Sequence, residues 1–191
     1  LWGYAAERAP STHPVAGSPA PDALSALGNF DGISYAKGAS VLRQLIAHIG
    51  DDAFVAGVGQ YLRSHAFGNG ELAEFIAAIE DAAGRSLTAW SAAWLQTAGA
   101  DRIALEGDVL TRRAPVDHPA DRPHTLDVAA FADGREVARV DLVVSGDRTS
   151  VPGLADVPTG ALVVPNASDL TWAEVALDDA TIDALPGNLA D

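Results

Sequence analysis

The chain divides by the rhythm of its apolar positions. Between residues 31 and 49 they recur at Ala39, Leu42, Leu45, Ile46 and Ile49, the spacing of one helix face. Asp31 is placed to cap the free N–H groups at the start and Gly50 to close the end, so a helix is predicted from about Asp31 to Ile49. Phe54, Val58, Tyr61 and Leu62 mark a second helix over about 52–65, with Asp51 as its cap. Leu72, Phe75, Ile76 and Ile79 mark a third, from Glu71 to Ala83, closed by Gly84. Leu87, Trp90 and Trp94 mark a fourth, capped by Ser86 and ended by Gly99. Upstream, residues 1–9 read as the end of a helix, Pro10 to Pro21 as a loop rich in Pro, Ser and Ala, and 22–28 as a short helix.

Near residue 101 the rhythm changes to short alternating runs parted by turn pairs. Ala104 to Glu106 and Val109 to Arg112 flank Gly107-Asp108; His124 to Phe131 and Glu136 to Val144 flank Asp133-Gly134, a strong hairpin signal. Gly146-Asp147 is a further turn, Ala161 to Val164 and Trp172 to Leu177 complete the strands, and Asp178 to Leu185 begins one more helix. Many short strands at this spacing predict a β-sandwich. The expected fold is therefore α+β, a helical half-domain over 1–100 followed by a small β-sandwich domain over 101–191.

Two features of the first long helix do not suit a plain surface helix. Tyr35 stands in its first turn, where a phenol projects from the open end. Gly38 lies inside it at a cost of about 1 kcal/mol against Ala, which suggests the close approach of another backbone. The whole stretch, Phe30-Asp31-Gly32-Ile33-Ser34-Tyr35-Ala36-Lys37-Gly38-Ala39-Ser40-Val41-Leu42-Arg43, resembles the signature helix of the zinc aminopeptidases of the aminopeptidase N family, the gluzincins. Ser11-Thr12-His13-Pro14-Val15 is similar to the Ser-His-Pro segment that precedes that helix in the family. Val164 to Trp172, with Asn166, loosely resembles the segment before the last strand of the family's sandwich domain. The resemblance is strong over roughly residues 11 to 100. It implies the back half of a thermolysin-like catalytic domain followed by a β-sandwich, within an enzyme that removes N-terminal residues from peptides.

Composition narrows the alternatives. Of 191 residues, 26 are acidic and 12 basic, a formal net charge of −14, which opposes binding to nucleic acid or to an anionic membrane. No run of about 18 apolar residues occurs, so no membrane span is expected. There is no cysteine, which excludes disulfides and thiolate metal sites. No signal peptide opens the chain, and the expected location is the cytoplasm. There is no methionine and the first residue is Leu1, which reads as a piece of a longer protein. The expected partners are then a peptide substrate of the parent enzyme and the missing parts of the same chain, an N-terminal catalytic half and a C-terminal helical domain.

By spacing alone Tyr35 is an ordinary tyrosine closing a helix end. The resemblance implies that it is catalytic and stabilises the tetrahedral intermediate, by donating its phenol proton to the oxygen on which charge develops. Phe30 is either a staple packed at the N′ position or, as the resemblance implies, an aromatic lining the pocket for the substrate's N-terminal residue. Lys37, the only lysine, reads as half of a structural ion pair, and Arg43 as structural too. The histidines are His13, His48, His65, His118 and His124; no His-Glu-x-x-His joins any of them, and His118 and His124 read as solvated residues of a Pro-rich loop. The resemblance implies zinc in the full-length parent, bound by residues upstream of this stretch; no zinc is expected in this fragment, which is expected to be inactive alone. The reading from a different class is a non-catalytic module of helices and β-sandwich that docks a partner protein.

Overall fold

In the computed structural model, which describes residues 2–17 and 20–188, the helical rhythm becomes six α-helices and one π-turn within the unit Leu1–Gly99. They are α1 (Trp2–Glu7), α2 (Ala23–Leu27), the π-turn Ile33–Lys37, α3 (Gly38–Ile49), α4 (Asp51–Ser64), α5 (Leu72–Ala83) and α6 (Thr88–Leu95). Ile33, Val41, Leu45, Ile79, Leu87 and Trp94 are wholly enclosed. Burying each such aliphatic side chain contributes about 1.5–3 kcal/mol. α5 starts with a capping box, in which Glu71 accepts from the third-position N–H and Glu74 reaches back to the Glu71 N–H. It stops at Gly84 in the left-handed conformation, φ 63°.

Close backbone approach does occur in this unit, but not at Gly38. The nearest atoms to a Cβ built there are Val15 Cγ1 at 3.6 Å and the Ile33 carbonyl at 3.7 Å, ordinary contacts. The tight positions are Gly57 and Gly32. A Cβ on Gly57 of α4 would lie 2.9 Å from Ile79 Cα and 3.0 Å from the Ala78 carbonyl of α5. One on Gly32 would lie 3.0 Å from Gly3 Cα and the Trp2 carbonyl of α1. Hydrophobic spacing announces a helix; it does not say how near the facing backbone lies, and on α3 it does not name the buried face, since Ala39 and Leu42 are exposed while Val41 and Gln44 are enclosed.

Two expected caps also differ. Gly50 precedes α4, and Asp51 lies within its first turn with no side-chain cap bond formed. α6 starts after Leu87, and Ser86 instead donates its hydroxyl to Glu80 and accepts from the Thr88 N–H at 3.3 Å. Glu80 gathers the Leu87 N–H as well, at 2.5 Å. Ser86 thus still holds the first helical N–H, and the Glu80 carboxylate shares the capping by holding the N–H before it.

The unit Ala100–Asp191 holds seven strands among its described residues. They are β1 (Asp101–Glu106), β2 (Val109–Arg113), β3 (His124–Ala132), β4 (Arg135–Val144), β5 (Arg148–Ser150), β6 (Leu162–Pro165) and β7 (Ala173–Ala176), followed by the helix α7 (Asp179–Asn188). One sheet has the order β5-β2-β1-β7 and the other β4-β3-β6. All pairs are antiparallel except β1 with β7. Ile103, Leu105, Leu110 and Ala173 of the first sheet share one core with Leu126, Val128 and Val144 of the second. The β3–β4 hairpin turns on Asp133 and Gly134, both at positive φ (52° and 69°), the type I′ geometry that matches strand twist. The three-residue β5 is too short to announce itself by alternation. The fold is α+β, as the two rhythms predict.

The largest departure from expectation is His124. It is not a solvated loop residue but fully enclosed at the start of β3. Its Nε2 faces Asp101 Oδ2 at 3.1 Å and its Nδ1 faces the Thr171 hydroxyl at 2.7 Å. Asp101 also accepts from Arg112 at 2.7 Å and from Arg122 at 2.5 Å. Arg112 extends the knot to the carbonyls of Gly146 and Ala120 and to Asp121. One buried carboxylate of β1 thus gathers Arg112 of β2, Arg122 of the loop before β3 and His124 of β3, and through His124 it reaches Thr171 before β7. His118, by contrast, is exposed.

Two outcomes are expected. Gly57→Ala forces α4 and α5 apart and should destabilise the chain by about 1–3 kcal/mol; an unchanged denaturation midpoint would contradict the contact. Burial first, and then the charges of Arg112 and Arg122, hold His124 below its ordinary value of 6.5 against the opposing pull of Asp101. Its contribution to stability is therefore fully present above about pH 6.5 and lost as the pH falls below it, at up to about 1.4 kcal/mol per pH unit for one proton. The protection factors of the β1 and β3 amides in the intact chain, corrected for the intrinsic slowing of exchange at lower pH, should fall over that window, and protection that stays flat there would contradict it.

Candidate active site

The site is the entry to α3, and local chemistry shapes it. Asp31 Oδ1 accepts the N–H groups of Ile33 at 2.8 Å and Ser34 at 3.1 Å, the capping the sequence predicts. The turn that follows is wider than an α-turn: the Lys37 N–H reaches the Gly32 carbonyl five residues back, and the Gly38 N–H reaches that of Ile33. One residue is thereby inserted before the α-helix proper. Gly38 continues the helix at φ −54°, with no conformational demand that only glycine meets.

Tyr35 and Lys37, two residues apart in this turn, face opposite ways. Tyr35 is 54% exposed, whereas Lys37 is wholly enclosed. The Lys37 ammonium lies 2.9 Å from Glu7 Oε2 and donates to the carbonyls of Gly99 at 3.1 Å and Thr97 at 3.4 Å. Glu7 Oε1 accepts from the Gly99 N–H at 2.7 Å and from the Thr12 hydroxyl at 3.0 Å. Lys37 is therefore the structural ion pair that the sequence suggests, and its partner is the carboxylate at the end of α1. Arg43 is exposed on α3.

Phe30 is 62% exposed. Its ring centroid lies 5.9 Å from that of Tyr35, with the rings tilted by 54°. The structure thus brings Phe30 and Tyr35 together as one exposed aromatic edge. Leu24 and Leu27 of α2 are also exposed. His13 donates Nδ1–H to the Pro14 carbonyl at 2.8 Å, and its Nε2 lies 3.2 Å from Asp31 Oδ2. Burial works to raise the Asp31 pKa, but the Ser34 and Ile33 N–H groups and His13 together hold it below its ordinary value. The Ser-Thr-His-Pro segment thereby steadies the cap of the turn that carries Tyr35. Sequence reasoning marks the segment but not its partner, because nothing local pairs residues 13 and 31.

The pattern of the peptidase family M1 domain matches residues 5–94, which hold every residue of the site. Aminopeptidase N of Streptomyces lividans is 38% identical over 211 aligned positions, covering all of this chain and 24% of that protein. The chain belongs to peptidase family M1. A second relative, tricorn protease-interacting factor F2 of Thermoplasma volcanium, is 39% identical over 90 residues, 47% of this chain and 11% of its own length. Among solved structures, Legionella pneumophila aminopeptidase A in complex with aspartic acid has the same fold, with a TM-score of 0.64 at 17% identity over 83% of this chain and 20% of that one. The chain thus spans about a quarter of the length of the Streptomyces relative.

Within this M1 chain the histidines are dispersed. His48 accepts from Arg85 at 2.7 Å and stacks on Trp90, and His65 lies 3.2 Å from Glu74. Among the described residues no three His, Asp or Glu side chains converge as a metal site.

The Glu7–Lys37 pair can be tested directly. Glu7→Gln leaves a buried ammonium without its counter-charge and should cost about 3–5 kcal/mol. The double change Glu7→Gln with Lys37→Met should cost less than the sum of the two single changes, which a double-mutant cycle of denaturation curves would check.

Proposed function

We propose that this chain is part of an aminopeptidase that removes N-terminal residues from peptides, that Tyr35 is its intermediate-stabilising donor, and that Phe30 lines the pocket for the substrate's first residue. The observation that carries this reading is the disposition of Tyr35. It stands at the open start of a capped π-turn, inside the M1-matched residues, with its phenol exposed beside Phe30. A tyrosine serving only to close a helix end would instead be buried against it. The similarity to aminopeptidase N of Streptomyces lividans supports the same activity. On this reading residues up to Gly99 are the back part of a catalytic domain and the β unit is the sandwich domain that follows it.

The chemistry asked of Tyr35 is modest and specific. When a peptide carbonyl is attacked, negative charge gathers on its oxygen. A phenol O–H donates to that oxygen without introducing a charge of its own, and it strengthens as the charge grows. Because the turn holds it in place beforehand, little reorganisation opposes the step, and such a donor is worth about 3–4 kcal/mol in the transition state. Lys37 cannot take this part, since its ammonium is committed to Glu7 and two carbonyls. The zinc that the family resemblance implies does not fit the described residues. His13, His48, His65 and His124 each have a partner elsewhere, and none lies in a convergent set. Its ligands belong to the remainder of a longer polypeptide.

Two outcomes are expected. In the longer enzyme carrying this segment, Tyr35→Phe should lower kcat by roughly 10²–10³ with KM little changed and zinc content intact. Near-normal kcat in a folded, zinc-replete variant would overturn the role. The 191-residue chain alone should retain no stoichiometric zinc after dialysis and leave an aminoacyl anilide uncleaved; turnover by the purified chain would overturn the assignment of the metal ligands elsewhere.

A further inference from the structure

The β unit carries a feature that the peptidase reading does not use. On the outer face of its first sheet, Arg102 of β1 and Arg113 of β2 are direct cross-strand partners. Partners in such a pair have Cβ atoms about 4.5–5.5 Å apart, and like charges placed so are destabilising. Both side chains are exposed, and neither forms an ion pair or side-chain hydrogen bond within the described residues. Together with Ala104, Glu106 and Thr111 they line a cavity of about 310 Å³. The small Ala104 lies opposite Thr111 and leaves the floor open. Glu106 is engaged by Arg148 at 3.4 Å, and Glu174 is the register neighbour of Arg102 on β7. The face therefore carries Arg102, Arg113 and Arg148 against Glu106 and Glu174, a positive balance on a chain whose formal net charge is −14.

We infer that Arg102 and Arg113 form a binding site for the carboxylates of an acidic peptide segment. An anion between them removes the like-charge repulsion that the bare pair bears. Guanidinium is planar and presents paired N–H donors that match a carboxylate. A compact phosphate suits the cavity less well. The Thr111 hydroxyl is directed to the Ala104 carbonyl at 3.3 Å and Glu106 at 3.5 Å, so it is not offered to a ligand. The inference is independent of the aminopeptidase reading, because it concerns a different unit and needs no turnover.

The test uses the whole 191-residue chain, isotope-labelled, at low ionic strength. A capped tetraglutamate peptide and inorganic phosphate are titrated separately while the arginine Nε–H and backbone amide signals are followed. The expected result is saturable shifts at Arg102, Arg113, Ala104 and Thr111 with the peptide, and weaker binding of phosphate. Arg102→Gln with Arg113→Gln should weaken peptide binding about tenfold or more while leaving the fold intact, since both side chains are exposed. Arg63→Gln with Arg135→Gln changes net charge equally at exposed positions elsewhere and should bind as the parent does. Absence of saturable shifts, equal weakening in the two double variants, or phosphate binding as tight as the peptide would each overturn the proposal.

Discussion

The helical unit depends on one buried ion pair. Glu7 and Lys37 are almost wholly removed from water, and a pair in that position does not pay for its own desolvation unless further hydrogen bonds satisfy both groups. Here they do: the carboxylate also takes the Gly99 N–H and the Thr12 hydroxyl, and the ammonium also takes two carbonyls. The result is less a source of net stability than a constraint on geometry. α1, the π-turn and the segment from Thr97 to Gly99 can meet in one arrangement, because any other leaves a charge or a backbone group unpaired in the core.

That constraint reaches the candidate site through the π-turn. Lys37 is drawn inward, and the widened turn leaves Tyr35, two residues earlier, facing out. Gly32 allows α1 to lie against the same turn, with backbone atoms 3.0 Å from where a Cβ would stand. Asp31 and His13 steady its open end. An exposed tyrosine on a surface loop would sample many positions. The backbone of this one is held by a buried charge on one side and a capped turn on the other, and the role proposed for Tyr35 draws on that preorganisation.

The β unit is organised by the same device with a different cast. Asp101 begins β1 and collects Arg112, Arg122 and His124, whose partners run on to Thr171 and the Gly146 turn. Burial opposes ionisation of Asp101, but the His124 hydrogen bond and the arginine charges hold its pKa below the ordinary carboxylate value. Asn166, at φ 55°, does similar work at smaller scale. Its side-chain oxygen accepts from the Leu170 and Thr171 N–H groups and its amide donates to the Thr171 carbonyl, closing the loop that presents Thr171 to His124.

What the sequence determines by itself is local or periodic. The alternation after residue 101 and the Asp133-Gly134 turn each express a preference that a few neighbouring residues settle, and the structure follows them; the spacing from Ala39 to Ile49 announces a helix, but Ala39 and Leu42 of that spacing are exposed while Val41, Gln44 and Leu45 are buried. The Phe30 to Arg43 stretch likewise identifies the family, because its chemistry is written in consecutive residues. The tertiary structure alone decides what depends on groups far apart in the chain. It decides that His124 is a buried member of a charge cluster rather than a loop histidine, that Glu7 is the partner of Lys37 thirty residues on, that the close backbone contacts fall at Gly32 and Gly57 rather than Gly38, and that Glu80 caps the turn before α6. The physical reason is common to all four. A side chain's charge, solvation and room are fixed by what is packed against it, and periodicity reports only that a helix or a strand forms.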